Sequence, residues 1–174
     1  VITYMRTDST RISKEMQVMA KDFILRNYGE EYYPSKPNVY GSKGSAQDAH
    51  EAIRPTSLEL TPKMVEPFLS RDELKLYTLI WNRFMASQMA PQQNESTTIE
   101  LNVKDDYTFK ATGSRVIFPG FSTVYEDAKK EDVPQLPVLK KNDAAHTVEV
   151  LPEQHFTQPP PRYSEASLIK TLEE

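Results

Sequence analysis

Two short runs of side chains carry chemistry that the rest of the sequence does not. Tyr4, Arg6 and Asp8 occupy alternate positions near the beginning of the chain. On an extended strand alternate residues face one side, so Tyr4 and Arg6 would point together while Thr3 and Met5 face away. A tyrosine hydroxyl is a weak nucleophile until positive charge or a base draws off its proton. A guanidinium supplies such charge, and its planar fork can hold a phosphate while negative charge builds on the phosphoryl oxygens. The pair therefore suits phosphoryl transfer to a tyrosine. A half-buried surface pair has the same spacing, so the spacing proves nothing by itself.

The second run is His50, Glu51 and Arg54. If residues 47–53 form a short helix, His50 and Arg54 are i,i+4 neighbours and could share a phosphate. Equally, Glu51 and Arg54 could simply pair with each other. The run resembles the start of a zinc-protease helix, but Arg54 stands where the second histidine would be. With three His and no Cys in the chain, no zinc set is found. Nor is there a tight acidic cluster for a divalent cation: Asp105-Asp106 is most simply a turn signal, and His146 and His155 fall beside the β-rich part.

These residues need elements to hold them. Residues 1–6 fit a short strand, and Asp8 to Thr10 a turn. Ser13 is a good helix cap, Glu15 suits the first turn, and Met16, Met19, Ala20, Phe23, Ile24 and Tyr28 recur at helical spacing up to Gly29, which predicts a helix over 14–28. Residues 30–46 fit a loop. Thr61 and Pro62 can open a further helical turn. Ser70 and Glu73 form a capping-box pattern ahead of a helix over 71–89, with Leu74, Tyr77, Ile80, Trp81, Phe84 and Met85 along one face. That aromatic stripe could stack bases, but core packing is the commoner use. Beyond Pro91 the pattern alternates: strands are expected at 96–103, 107–112 and 114–118, with a turn at Lys104 to Asp106 and breaks at Gly113 and at Pro119-Gly120. Residues 126–143 fit a loop, His146 to Leu151 another strand, and Ser164 caps a last helix over 165–174.

Composition sets wide limits. The 174 residues are 38% hydrophobic and 26% charged, an ordinary globular balance, and carry thirteen Pro against five Gly. Without cysteine there can be no disulfide or thiolate chemistry, which fits a reducing compartment. No apolar run is long enough to span a bilayer, so no membrane partner is expected. Net charge is −4, with eight basic and seven acidic residues in 1–56 and thirteen and eighteen in 57–174. Charge alone gives little reason to expect nucleic acid. The start at Val1 falls on residues that fit mid-strand and looks like a cut boundary.

The motifs taken together are far more specific. Ile2-Thr-Tyr-Met-Arg-Thr-Asp-Ser-Thr10 closely resembles the active-site signature of type IA DNA topoisomerases. His50-Glu-Ala-Ile-Arg-Pro-Thr56 looks like a second motif of that family, and Pro160-Pro-Arg-Tyr-Ser-Glu-Ala-Ser-Leu-Ile-Lys170 a third, with Leu79-Ile-Trp81 and Ser96-Thr-Thr98 also similar between them. Met5 after the tyrosine, and Arg54 in the second motif, resemble the bacterial topoisomerase I branch rather than the topoisomerase III branch. Reverse gyrase shares the same core.

The resemblance implies an α+β fold: a mainly helical Tyr-bearing part followed by a β-rich part, within a four-domain toroid. Residues 1–90 would belong to the Tyr-bearing domain, 91–157 to the β-rich arch and 158–174 to the start of a helical base domain. It implies an ATP-independent monomeric enzyme that acts on single-stranded or negatively supercoiled DNA, located in the cytoplasm with the nucleoid. Tyr4 would attack the scissile phosphate and form a 5′-phosphotyrosyl link, Arg6 would contact that phosphate, and Asp8, His50 and Arg54 would support the site. Mg²⁺ would be held by an acidic cluster in a domain these residues lack, so the chain alone is expected to be inactive. A non-enzymatic single-strand-binding module of the same fold is the alternative, although such a module needs neither the tyrosine nor its phosphate partner.

Overall fold

The computed structural model describes residues 1–7, 9–40, 50–103, 107–125 and 136–173. The fold is α+β, and its contacts divide into two units, Val1–Val138 and Leu139–Glu174. Among its described residues the first unit holds three α-helices and a hairpin: α1 (Lys14–Asn27), α2 (Pro62–Val65), α3 (Arg71–Gln88), β1 (Gln93–Val103) and β2 (Tyr107–Phe118).

Helix α1 begins where the sequence places its cap: the Ser13 hydroxyl accepts from the Met16 amide at 3.4 Å. It ends where Gly29, at a φ of +110°, turns the chain out of the helix. At α3 the Glu73 carboxylate reaches back to the Ser70 amide at 2.9 Å and also accepts the Ser70 hydroxyl, closing the capping box. The Thr61 hydroxyl caps nothing, although Pro62 does open α2.

The core lies between α1 and α3. Met16, Ala20, Phe23 and Ile24 from α1 meet Tyr77, Trp81, Phe84 and Met85 from α3, with Leu58, Val65 and Met89 around them. Met19, expected on the same face, lies outside this core and is exposed. Phe23 and Trp81 pack edge to face, with ring centroids 5.9 Å apart. Trp81 and Tyr77 bury their rings yet keep their polar tips paired, donating to the carbonyls of Leu58 at 3.3 Å and Leu60 at 2.6 Å. Burial raises the Tyr77 hydroxyl above its ordinary range. The aromatic stripe of α3 is thus packing, not a stacking platform.

The hairpin departs from expectation at Gly113. This residue does not break the strand; it pairs with Thr97 inside one continuous β2. The strand ends at Phe118, at the other expected break, Pro119-Gly120, where the Gly120 φ of +50° brings the chain within 2.5 Å of the Ala90 carbonyl, measured from where a Cβ would stand. Ile99/Ala111, Leu101/Phe109 and Val103/Tyr107 pair on one face and Thr98/Thr112 and Glu100/Lys110 on the other. The expected turn at 104–106 and most of the expected loop at 126–143 lie outside the described residues.

Among its described residues the second unit carries one regular element, α4 (Glu165–Glu173). Ser164 and Ser167 cap its start: the Ser164 amide donates to the Ser167 hydroxyl at 2.8 Å, and the Ser167 amide to the Ser164 hydroxyl at 3.2 Å. The strand expected at His146 to Leu151 does not form. Among the described residues of this unit no second strand offers it a ladder, and an isolated extended segment has nothing to satisfy its backbone.

Candidate active site

The first and second sequence motifs meet. Ile2 forms an antiparallel bridge with Pro55. Around it, the Thr3 amide donates to the Arg54 carbonyl at 2.9 Å and the Thr56 amide to the Val1 carbonyl at 3.0 Å. The Thr3 hydroxyl adds a second link, donating to the Ala52 carbonyl at 2.9 Å and accepting from the Arg54 amide at 3.0 Å. Further along, the Ala52 amide donates to the Arg11 carbonyl at 2.8 Å. The segments 1–11 and 50–56 are therefore laced together on both sides of Tyr4 and Arg6.

This lacing corrects the reading of residues 47–53 as a helix. Residues 47–49 lie outside the described set, and His50 to Ile53 are not helical. Their backbone groups hydrogen-bond across to Thr3, Ser9 and Arg11 instead of along a helix. His50 and Arg54 are consequently not one helical turn apart.

Of the five residues singled out, Tyr4 is 81% exposed, so its hydroxyl is open to a large substrate. Arg6 and His50, 44 positions apart, touch: Arg6 Nη1 lies 3.3 Å from His50 Nε2. Arginine has no acceptor, so that imidazole nitrogen must present its lone pair, which places the ring proton of a neutral His50 on Nδ1. Arg54 is engaged elsewhere. Its Nε and Nη2 both donate to Glu51 Oε2, at 3.1 and 2.6 Å, and its Nη1 donates to the Pro55 carbonyl at 3.0 Å. The Arg54 and Glu51 side chains are 12% and 24% exposed, so the pair is largely withdrawn from water. Asp8 lies outside the described residues.

Three further residues organise this region, and spacing alone did not point to them as such. Thr3 laces residues 1–6, which form a single bridge at Ile2 rather than the expected strand. Ser9, buried at 7% exposure, donates from its hydroxyl to the His50 carbonyl at 2.8 Å and accepts from the Arg11 amide at 3.2 Å. Arg11 Nε donates to the same His50 carbonyl at 3.3 Å. The hydroxyls in Thr3 and Ser9 flanking the Tyr-x-Arg pair were the available signal, since such side chains often tie neighbouring backbone.

Among the described residues, no three His, Asp or Glu side chains converge as a cation's ligand set. These residues do not fit a magnesium site. No described helix is long and apolar enough to cross a membrane.

Residues 1–174 match the bacterial-type family described as DNA topoisomerase. The proteins named DNA topoisomerase 1 from two strains of Xylella fastidiosa, Temecula1 and 9a5c, are each 46% identical over 182 aligned residues, covering 100% of this chain and 22% of theirs. The structure of full-length topoisomerase I from Thermotoga maritima superposes with a TM-score of 0.72 at 36% identity, over 99% of this chain and 27% of that one. The chain belongs to the type IA DNA topoisomerase family. It spans about a fifth to a quarter of the length of these relatives.

Proposed function

We propose that these residues are the tyrosine-bearing portion of a type IA topoisomerase that cuts one DNA strand, passes a strand through the break and reseals it, relaxing negative supercoils. The observation that carries the proposal is the meeting of Arg6 with His50 at 3.3 Å, two positions from an exposed Tyr4. A guanidinium and an imidazole from two distant motifs meet, and the proposed nucleophile lies two positions from the guanidinium in sequence.

In this reading Tyr4 Oη loses its proton and attacks the scissile phosphorus of single-stranded DNA. The bond from Tyr4 oxygen to phosphorus forms and the bond from phosphorus to the 3′ oxygen breaks. That oxygen leaves as a 3′-hydroxyl, taking up one proton for the one Tyr4 gave up, and the 5′ end stays on the tyrosine. Arg6 offsets the charge building on the phosphoryl oxygens. His50 holds the guanidinium in place from its other side, and Asp8 orients His50. Arg54 supports the site through Glu51 and Pro55, which occupy three of its N–H groups. Attack by the 3′-hydroxyl on the phosphotyrosine reverses every step, so no nucleotide triphosphate is needed.

Mg²⁺ belongs in this proposal to other parts of the whole protein, and no step above is routed through it. The 174 residues alone supply the nucleophile and its phosphate partner but only part of the apparatus, and are proposed to be silent in cleavage. We assign residues 1–90 to the Tyr-bearing domain, 91–157 to the arch and 158–174 to the base, in a monomer working in the cytoplasm with the nucleoid. The whole protein should relax negatively supercoiled plasmid without ATP, and Tyr4→Phe, which removes one oxygen, should abolish relaxation while single strands still bind. Relaxation by Tyr4→Phe at the parent rate would overturn the assignment.

A further inference from the structure

Ser9 is a small buried hydroxyl with both of its hydrogen-bonding capacities in use. Its oxygen donates to the His50 carbonyl at 2.8 Å and accepts from the Arg11 amide at 3.2 Å. Arg11 Nε reaches the same carbonyl at 3.3 Å, and the Arg11 carbonyl accepts from the Ala52 amide at 2.8 Å. A closed set of four hydrogen bonds therefore fixes residues 9–11 against 50–52. It fixes them at the residue whose imidazole meets Arg6. The links made by Thr3 fall on Ala52 and Arg54, beyond His50, and cannot set the His50 carbonyl by themselves. On the other side of His50, residues 41–49 are outside the described set.

From this geometry we infer that Ser9 is a positioning residue of the cleavage site: it clamps the His50 backbone so that the imidazole stands where it can hold the Arg6 guanidinium against the scissile phosphate. The inference rests on the cleavage reading above. Ser9 touches no reacting atom. Its effect passes through His50, and a displacement of about 1 Å at a reacting site commonly lowers the rate about 100-fold.

The test uses the whole protein and single-turnover cleavage of a labelled single strand at saturating concentration. Ser9→Ala should cleave roughly 10- to 100-fold more slowly, with DNA affinity within about twofold of the parent. Ser9→Cys keeps nearly the same shape but is a weak donor, so its rate should fall between the two. In a His50→Ala background, adding Ser9→Ala should change the rate less than about twofold, because the residue it positions is gone. An equal loss in both backgrounds would mean that Ser9 merely stabilises the fold, and would overturn the inference. So would parent-rate cleavage by Ser9→Ala. A structure of the Ser9→Ala protein gives a reading that needs no turnover. The Arg6–His50 separation should lengthen past hydrogen-bond range, and its persistence at 3.3 Å would refute the clamp. Tyr4→Phe runs alongside: if it still cleaves, the underlying cleavage reading fails, whereas loss there with no effect at Ser9 overturns the clamp alone.

Discussion

Glu51→Ala removes the carboxylate that faces Arg54, and the structure sets the scale of the loss. Two N–H groups of Arg54 donate to one Glu51 oxygen, at 2.6 and 3.1 Å, and the side chains are 12% and 24% exposed. Breaking a fully buried ion pair costs about 3–5 kcal/mol, and an exposed pair contributes about 0–1 kcal/mol. This pair lies between those limits, and the Pro55 carbonyl at 3.0 Å still serves one N–H group after the change. A loss of about 2 kcal/mol follows, which for a chain of this length lowers the melting temperature by roughly 4–8 °C. Urea titration of Glu51→Ala, Arg54→Ala and the double variant should return a coupling energy of about 1–2 kcal/mol. Because the Arg54 amide and carbonyl both bind Thr3, next to Tyr4, the same substitution in the whole protein should also slow cleavage. A stability loss under about 0.5 kcal/mol with no coupling would instead place the pair among ordinary surface contacts.

Three other outcomes are expected. Gly120→Ala should destabilise by about 3 kcal/mol, of which about 1–2 comes from the left-handed backbone and the rest from displacing the Ala90 and Pro91 carbonyls, which a Cβ would approach to 2.5 Å; denaturant melts check it. The Ser70 hydroxyl and then the Ser70 amide hold the Glu73 carboxyl below its ordinary range. Its contribution is therefore full above the ordinary glutamate value and fades as pH falls through the lowered one, so Glu73→Gln should flatten the acid limb of the stability profile and leave a smaller difference from the parent at low pH than at neutral pH. Arg6→Ala should lose about 3 kcal/mol of transition-state stabilisation in single-turnover cleavage, with Arg6→Lys in between because it keeps charge without the fork.

Local signals made the helices legible. Ser13, Gly29 and the Ser70–Glu73 box fix the ends of α1 and α3 to within about a residue of their sequence reading, and helical spacing identified most of the packed face, Met19 excepted. The errors arose where long-range pairing decides. His-Glu-Ala-Ile-Arg has good helix formers, but its backbone groups find partners at Thr3, Ser9 and Arg11, and tertiary pairing overrides propensity. Gly113 looked like a strand end, yet its place opposite Thr97 keeps the ladder intact. Residues 146–151 had the pattern of a strand and no partner strand among the described residues of their unit. At the site, residue types named Arg6 and His50 separately. Their contact across 44 positions could not be deduced from spacing, and neither could the hydroxyl links of Thr3 and Ser9.

The most direct test of the central claim is to trap the covalent complex of the whole protein with a labelled single strand, digest it, and sequence the nucleotide-bearing peptide by mass spectrometry. The label should sit on the peptide ending Val-Ile-Thr-Tyr-Met-Arg, with the 5′-phosphoryl group on Tyr4 and a free 3′-hydroxyl on the released strand. A label on any other side chain, or a 3′-phosphoryl link, would contradict it.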